Sequence, residues 1–136
     1  MSFEMNSSNP FFQEVVDAHV DIEQWLSGSA SRDALAPLLA RFSRDFSMIS
    51  LHGHALDYAD IDILFSRGFG ARPGLRIAID ELHEVSAWPG GSTIAYRETQ
   101  TDAAGRRTVR RSTVVFERDT DGRIGWLRLH ETPVTG

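Results

Sequence analysis

The chain carries five histidines and no cysteine. Disulfides, thiolate metal sites and cysteine nucleophiles are therefore excluded, and chemistry falls to imidazoles, carboxylates and guanidinium groups. His52-Gly53-His54 comes first. In extended backbone alternate residues share a face, so both imidazoles can reach one ion, with Asp57 adding an oxygen. Two histidines and a carboxylate with open positions would suit iron or zinc. His-Gly-His is also an ordinary loop sequence. HExxH is missing as well, since His83-Glu84 and His130-Glu131 have no second histidine four positions after the first. No metal and no cofactor are expected. A histidine with an unperturbed pKa of about 6.5 also suits proton transfer near neutrality. His19 lies mid-way along an apolar helical stripe, either as a satisfied core residue or as a donor facing a cavity. Arg97 and Glu131 complete the set, as an ion pair or as a place to hold an anionic ligand.

These groups must be positioned by helices that come first and strands that follow. Asn9-Pro10 opens a helix, because Asn caps free amides and Pro is tolerated at the first helical position. Phe12, Val15, Val16, His19, Ile22 and Leu26 then recur at helical spacing, up to Ser27-Gly28-Ser29. A second helix starts at Ser31, with Leu35, Leu38, Leu39 and Phe42 on its apolar side and Pro37 shortening or kinking it. Phe46-Ser47-Met48-Ile49 reads as a strand and His52 to Leu56 as a turn. Asp57 caps a third helix, which carries Ile61, Leu64 and Phe65 and is stopped by Gly68, Gly70 and Arg72-Pro73-Gly74.

Four long strands remain, at 75–88, 92–101, 106–118 and 123–132. The turns between them are short enough to imply antiparallel neighbours and hence a meander. If Asp102–Gly105 and Asp119–Gly122 are four-residue loops, Thr101 pairs with Arg106 and Arg118 with Arg123. Alternation then sorts side chains into two faces. One holds Thr93, Ala95, Arg97, Arg110, Ser112, Val114, Phe116, Leu127, Leu129 and Glu131. The other holds Ile94, Tyr96, Glu98, Val109, Arg111, Thr113, Val115, Ile124, Trp126, Arg128 and His130. Both are half apolar, as for a sheet buried on two sides.

Three helices around a short strand, then a long meander, resembles the nuclear transport factor 2-like superfamily over about residues 10–132. Its small bacterial members include the SnoaL-like and ketosteroid isomerase-like proteins. The local marks are Phe46-Ser47-Met48-Ile49 before a glycine-containing turn, Tyr96-Arg97-Glu98, and the closing Trp126-Leu127-Arg128-Leu129-His130-Glu131-Thr132. The resemblance implies an α+β fold: a cone-shaped, curved antiparallel sheet wrapped on three N-terminal helices. It also places the first set of residues inside the cone. The expected pocket is then His19, His54, Tyr58, Ala95, Ser112, Val114, Leu127, Leu129 and Glu131, with Arg97 as electrostatic anchor. Tyr96, Arg111, Thr113, Trp126, Arg128 and His130 fall on the convex face, where these families often dimerise. Ketosteroid isomerase-like proteins carry a carboxylate base just after the first strand. Here that region reads Ser50-Leu51-His52, so His52 stands as the base and the isomerase reaction itself is not implied.

Length and charge bound the rest. A chain of 136 residues suits one domain, here 1–136 with 1–9 and 133–136 flexible. The net charge of −5 argues against nucleic acid, and the run Arg106-Arg107 with Arg110-Arg111 reads as a solvated strand face. The N-terminus lacks the pattern of a signal peptide, and no stretch approaches the ~20 apolar residues of a membrane helix. The expectation is a cytoplasmic homodimer with an unidentified small-molecule ligand. It would act by cofactor-free proton transfer in the pocket, as an isomerase, cyclase or dehydratase does, or serve as a non-catalytic binding or interaction module.

Overall fold

Asn9 starts the first helix by accepting at Oδ1 from the amides of Phe11 and Phe12, at 2.8 and 3.1 Å. The computed structural model describes residues 9–135; the expectation of flexibility over 1–8 and at Gly136 lies outside them. Helix α1 runs Pro10–Ser27 and ends at Gly28, whose φ of 84° suits glycine alone. Its buried face is Phe11, Phe12, Val15, Ala18, His19 and Trp25. A 3₁₀ turn, Arg32–Ala34, leads into the five-residue helix α2, Leu35–Leu39. Pro37 removes an amide donor there, and Phe42 leaves the helix to begin strand β1. Helix α3, Tyr58–Gly68, carries a reciprocal capping box between Asp57 and Asp60. The end of α1 is tied to α3: Trp25 Nε1 donates to the Phe65 carbonyl at 2.7 Å, and Gly70 N to that of Trp25 at 3.0 Å.

Six strands form one curved, open sheet in the order β2-β1-β6-β5-β4-β3. They are β1 Phe42–Ile49, β2 Ala55–Asp57, β3 Arg76–Trp88, β4 Gly91–Thr101, β5 Arg107–Arg118 and β6 Ile124–Val134. Two features correct the sequence reading. The segment read as turn up to Leu56 contains β2, which pairs antiparallel with β1. And β1 pairs parallel with β6, so the sheet is mixed; the intervening chain gives the long crossover that parallel neighbours need. The last strand also runs to Val134, which pairs with Val109, two residues beyond the end at Thr132 read from the sequence.

Loop geometry decides which residues face inward. In the β4–β5 and β5–β6 hairpins an Asp carbonyl accepts the amide of a Gly three residues on, and that Gly is left-handed: Gly105 at φ 84°, Gly122 at φ 82°. This is a type I turn followed by a glycine bulge, which adds one residue beyond the turn. Thr101 therefore pairs with Arg107 and Arg118 with Ile124, one position later than four-residue loops would give. On β4 the two faces exchange: Ile94, Tyr96, Glu98 and Gln100 are buried, while Ala95 and Arg97 turn outward. On β6 the shift brings Trp126 inside. A second irregularity between Val115 and Phe116 leaves Leu127 unpaired, so Leu129 and Glu131 also face inward. The interior is thus built in rows across the strands. Ser92, Phe116, Trp126 and Phe42 form one, and Ile94, Val114, Leu129 and Met48 the next. Then come Tyr96, Ser112 and Glu131, and beside them Glu98 and Arg110.

Candidate functional site

Apolar rows close one end of the concave face, and the polar rows border a cavity of about 210 Å³ between the sheet, α1 and α3. Its walls include Ile22, Leu26, Phe46, Met48, Ile61, Phe65, Trp126 and Leu129; its polar groups are His19, Ser50, Glu98, Gln100, Arg110 and Glu131. His19 reaches it because it sits one turn after Val15 on the buried face of α1. Its Nδ1 lies 2.7 Å from the Val15 carbonyl and its Nε2 3.2 Å from Glu98 Oε1. Both ring nitrogens face acceptors, which is the arrangement of an imidazolium. Burial alone would lower the pKa of His19, but the hydrogen bond and charge of Glu98 with the Val15 carbonyl raise it.

Glu98 is the other half of this pair. Burial pushes its pKa up, yet His19 and the Gln100 amide, which donates to Oε2 at 2.7 Å, bring it down to about 2. Arg72 in turn donates to Gln100 Oε1 at 2.6 Å, so the chain of bonds runs to the cavity edge. Glu131 meets the opposite fate. Burial raises its pKa and nearby Glu98 adds to this; Arg110, 3.6 Å away, and His19 offset only part, and the net shift is upward. The cavity therefore contains one carboxylate held ionised and one carboxyl drawn toward its neutral form. Burial also raises the pKa of Tyr96 well above its ordinary value, with both glutamates adding to the effect, so its hydroxyl keeps its proton.

Several residues singled out from sequence lie elsewhere. His52 and His54 are exposed at the turn between β1 and β2, where Gly53 N donates to the Ser50 carbonyl at 2.9 Å and holds the tip outward. Neither lines the cavity. Among the described residues no group of three or more His, Cys, Asp or Glu is gathered to hold a metal. Arg97 is on the convex face, bonded to Asp80 by Nε at 2.8 Å and to Glu81 by Nη1 at 2.9 Å; Arg111 Nη1 also reaches Glu81, at 3.0 Å. Arg97 and Glu131 consequently sit on opposite faces and do not pair. Ala95 is convex, Leu127 is half-buried at the irregularity, and Tyr58 lies under Arg44 in a separate open groove. Tyr96 and Trp126 are buried inside rather than on an outer surface; Arg111, Thr113, Arg128 and His130 are exposed on the convex side. Ser112 and Val114 are buried on the concave face.

Sequence reasoning missed Glu98 and Gln100 as cavity residues; it put Arg110 in the inward set as well as in a solvated basic run. The Asp-x-x-Gly-Arg pattern shared by Asp102–Arg106 and Asp119–Arg123 was the available signal. Asp at the first position and Gly at the fourth specify the bulged turn, and with it the face of every residue on β4.

No protein-family model and no curated protein matches the chain. Solved structures do. An NTF2-like protein of unknown function from Pseudomonas aeruginosa is 47% identical, covers 92% of this chain and 98% of its own, and superposes with a TM-score of 0.88. The chain belongs to the nuclear transport factor 2-like family. More distant NTF2-like structures share the fold. One, described as of unknown function in nutrient uptake, is from Rhodospirillum rubrum, with 13% identity, coverage of 89% and 98%, and a TM-score of 0.67. Another, from Streptomyces avermitilis and provisionally labelled a dehydratase, has 14% identity, coverage of 91% and 96%, and a TM-score of 0.69. No described helix of this NTF2-like chain is long and apolar enough to cross a membrane.

Proposed function

We propose that the concave cavity binds a small, largely apolar molecule and moves a proton on it, with Glu131 as the proton carrier. The observation that carries this reading is the divergence of two carboxyls in one cavity. Glu98 is fixed as an anion by His19 and Gln100, whereas Glu131 is pushed toward protonation in an apolar setting. Paired carboxyls driven apart in this way divide the work: one stays charged and the other can carry a proton. Arg110 beside Glu131 would stabilise negative charge developing on a ligand oxygen. The reaction class is cofactor-free proton transfer, as in an isomerase, cyclase or dehydratase; the dehydratase label of the Streptomyces relative is compatible with it. His52 and Arg97, neither of which lines the cavity, have no part in the proton transfer.

Deuterium wash-in tests it. Small enolisable ketones incubated with the protein in D2O should gain deuterium next to the carbonyl, followed by NMR. Glu131→Gln should slow this by about 10²–10⁴-fold, while His52→Ala leaves it unchanged. Exchange that survives Glu131→Gln would remove Glu131 from the mechanism. The tight aromatic walls from Phe42, Phe46, Phe65 and Trp126 favour a second reading, a non-catalytic ligand carrier. Ligands that bind the cavity without any exchange would support it instead.

We propose also that the convex face joins two copies into a dimer. Arg111, Thr113, Arg128 and His130 are exposed there.

A further inference from the structure

We infer that Ser50 is a further functional residue of this cavity, its hydroxyl donating to the oxygen of a small carbonyl compound while Glu131 takes the proton from the adjacent carbon; this rests on Glu131 carrying the proton. The polar residues lining the cavity are His19, Ser50, Glu98, Gln100, Arg110 and Glu131. Most are committed to one another. His19 and Gln100 both engage Glu98, Arg72 donates to the Gln100 oxygen, and Arg110 faces Glu131. Ser50 differs. Its Oγ accepts from the His54 amide at 3.1 Å, and no described residue takes its proton. A hydroxyl has one proton and two acceptor lone pairs, so this bond places the oxygen and leaves the O–H available. The backbone is fixed as well: Ser50 N donates to the His54 carbonyl at 2.8 Å, and the Ser50 carbonyl accepts from Gly53 N at 2.9 Å.

The sheet puts this hydroxyl next to Glu131. Strand β1 pairs parallel with β6, Met48 with Leu129 and Ile49 with His130, so one step further in the same register Ser50 stands beside Glu131. Alternation sets Ser50 on the side of Met48 and Glu131 on that of Leu129, and all four line the cavity. His52, two positions on, has left the strand and is exposed. Neighbouring strands lie about 4.8 Å apart, so one ligand can touch both side chains. Ser50 and Leu56, which pairs with Met48, are half-buried, whereas Phe46, Phe65 and Trp126 are buried. The apolar part of a ligand is therefore drawn toward the aromatic walls, and its oxygen is left at the more open edge beside Ser50. An apolar cavity of about 150 Å³ takes up benzene, so about 210 Å³ limits the ligand to one ring or a short branched chain.

The step balances without a co-reactant. The Glu131 carboxylate takes a proton from the carbon next to the carbonyl. The C–H electron pair moves into a new carbon–carbon double bond, and the carbonyl pair moves onto the oxygen. The Ser50 O–H meets that oxygen as its negative charge grows. Return of a proton from Glu131 to the carbon restores the carbonyl compound. If Glu131 exchanges with D2O in between, the carbon gains deuterium.

Two readouts on the intact protein with cyclohexanone test the assignment: deuterium exchange in D2O by NMR, and the infrared carbonyl band of bound ketone labelled with carbon-13 at the carbonyl. A donor at the oxygen lowers that band, so it should lie lower in the wild-type protein than in Ser50→Ala. Ser50→Ala should slow exchange about 10–100-fold, the worth of a hydrogen bond to a charged oxygen, with the loss in kcat more than in KM. Ser50→Thr keeps the hydroxyl and should restore both rate and band. If wild-type protein exchanges and Glu131→Gln stops it, but Ser50→Ala leaves rate and band unchanged, Ser50 is excluded and the proton-transfer reading stands. A slower Ser50→Ala with an unmoved band would show a structural role and overturn the donor assignment. If the wild-type protein exchanges nothing, the proton-transfer reading fails and this assignment falls with it.

Discussion

Glu98 and Glu131 are the same residue type on one face of one sheet, two strands apart, and their neighbours give them opposite behaviour. Glu98 has an imidazolium and an amide as partners; Glu131 has apolar walls and one loose cation. This difference predicts opposite mutational signs. His19→Leu strands the Glu98 charge in the core and should cost about 3–5 kcal/mol in urea unfolding at pH 6, while His19→Leu with Glu98→Leu recovers most of the loss. Glu131→Gln should stabilise at pH 7 by about 0.5–1 kcal/mol, as functional residues often do when replaced. A raised carboxyl pKa removes stability as pH climbs above the ordinary value of 4.5, so that gain should vanish below it. The His19–Glu98 pair has its own pH window. Raised His19 contributes fully below 6.5 and less as pH rises through its folded value; Glu98 contributes above 4.5 and less as pH falls toward about 2. Stability relative to the double variant should therefore peak between 4.5 and 6.5 in urea midpoints measured across pH. A difference that does not fall on either side of that window would exclude the ion pair.

Among the elements, the hairpins decide which face of β4 meets the cavity, and their glycines are not equivalent. A Cβ at Gly91 would run into the Phe116 carbonyl oxygen, on paired backbone that cannot move aside. Gly91→Ala should break the β4–β5 pairing and yield protein lacking a cooperative thermal transition. Gly105 is left-handed but has open space around it, so Gly105→Ala should cost only about 1–2 kcal/mol in thermal unfolding, from backbone strain. The same hairpins explain what was legible in the sequence. Helix starts at Asn9 and Asp57 were readable because capping is local. The strands were readable because alternation is local too. Facing was not, because a single bulge residue inverts a strand: Arg97 and Glu98 exchanged sides. Leu129 and Glu131 lie inside because hairpin offset and mid-strand irregularity sum to two residues, which restores parity beyond Leu127.

At the scale of the molecule, sheet curvature with helices α1 and α3 builds a half-open apolar cavity, and burial of its polar groups gives the site its properties. His19 was visible as a polar residue in an apolar stripe, but its partner Glu98 comes from a strand 79 positions later in the chain, and no local pattern links them. The proposed dimer belongs to this scale as well. Light scattering at micromolar concentration should give twice the chain mass, and a stable monomer would contradict it. The central claim, that the cavity drives its two carboxyls apart, is tested most directly by carbon-13 NMR titration of the Glu98 and Glu131 side-chain carboxyls, assigned with Glu98→Gln and Glu131→Gln. The account predicts that Glu131 titrates above 4.5 and Glu98 far below it, near 2. Coincident titrations, or Glu131 below Glu98, would contradict it.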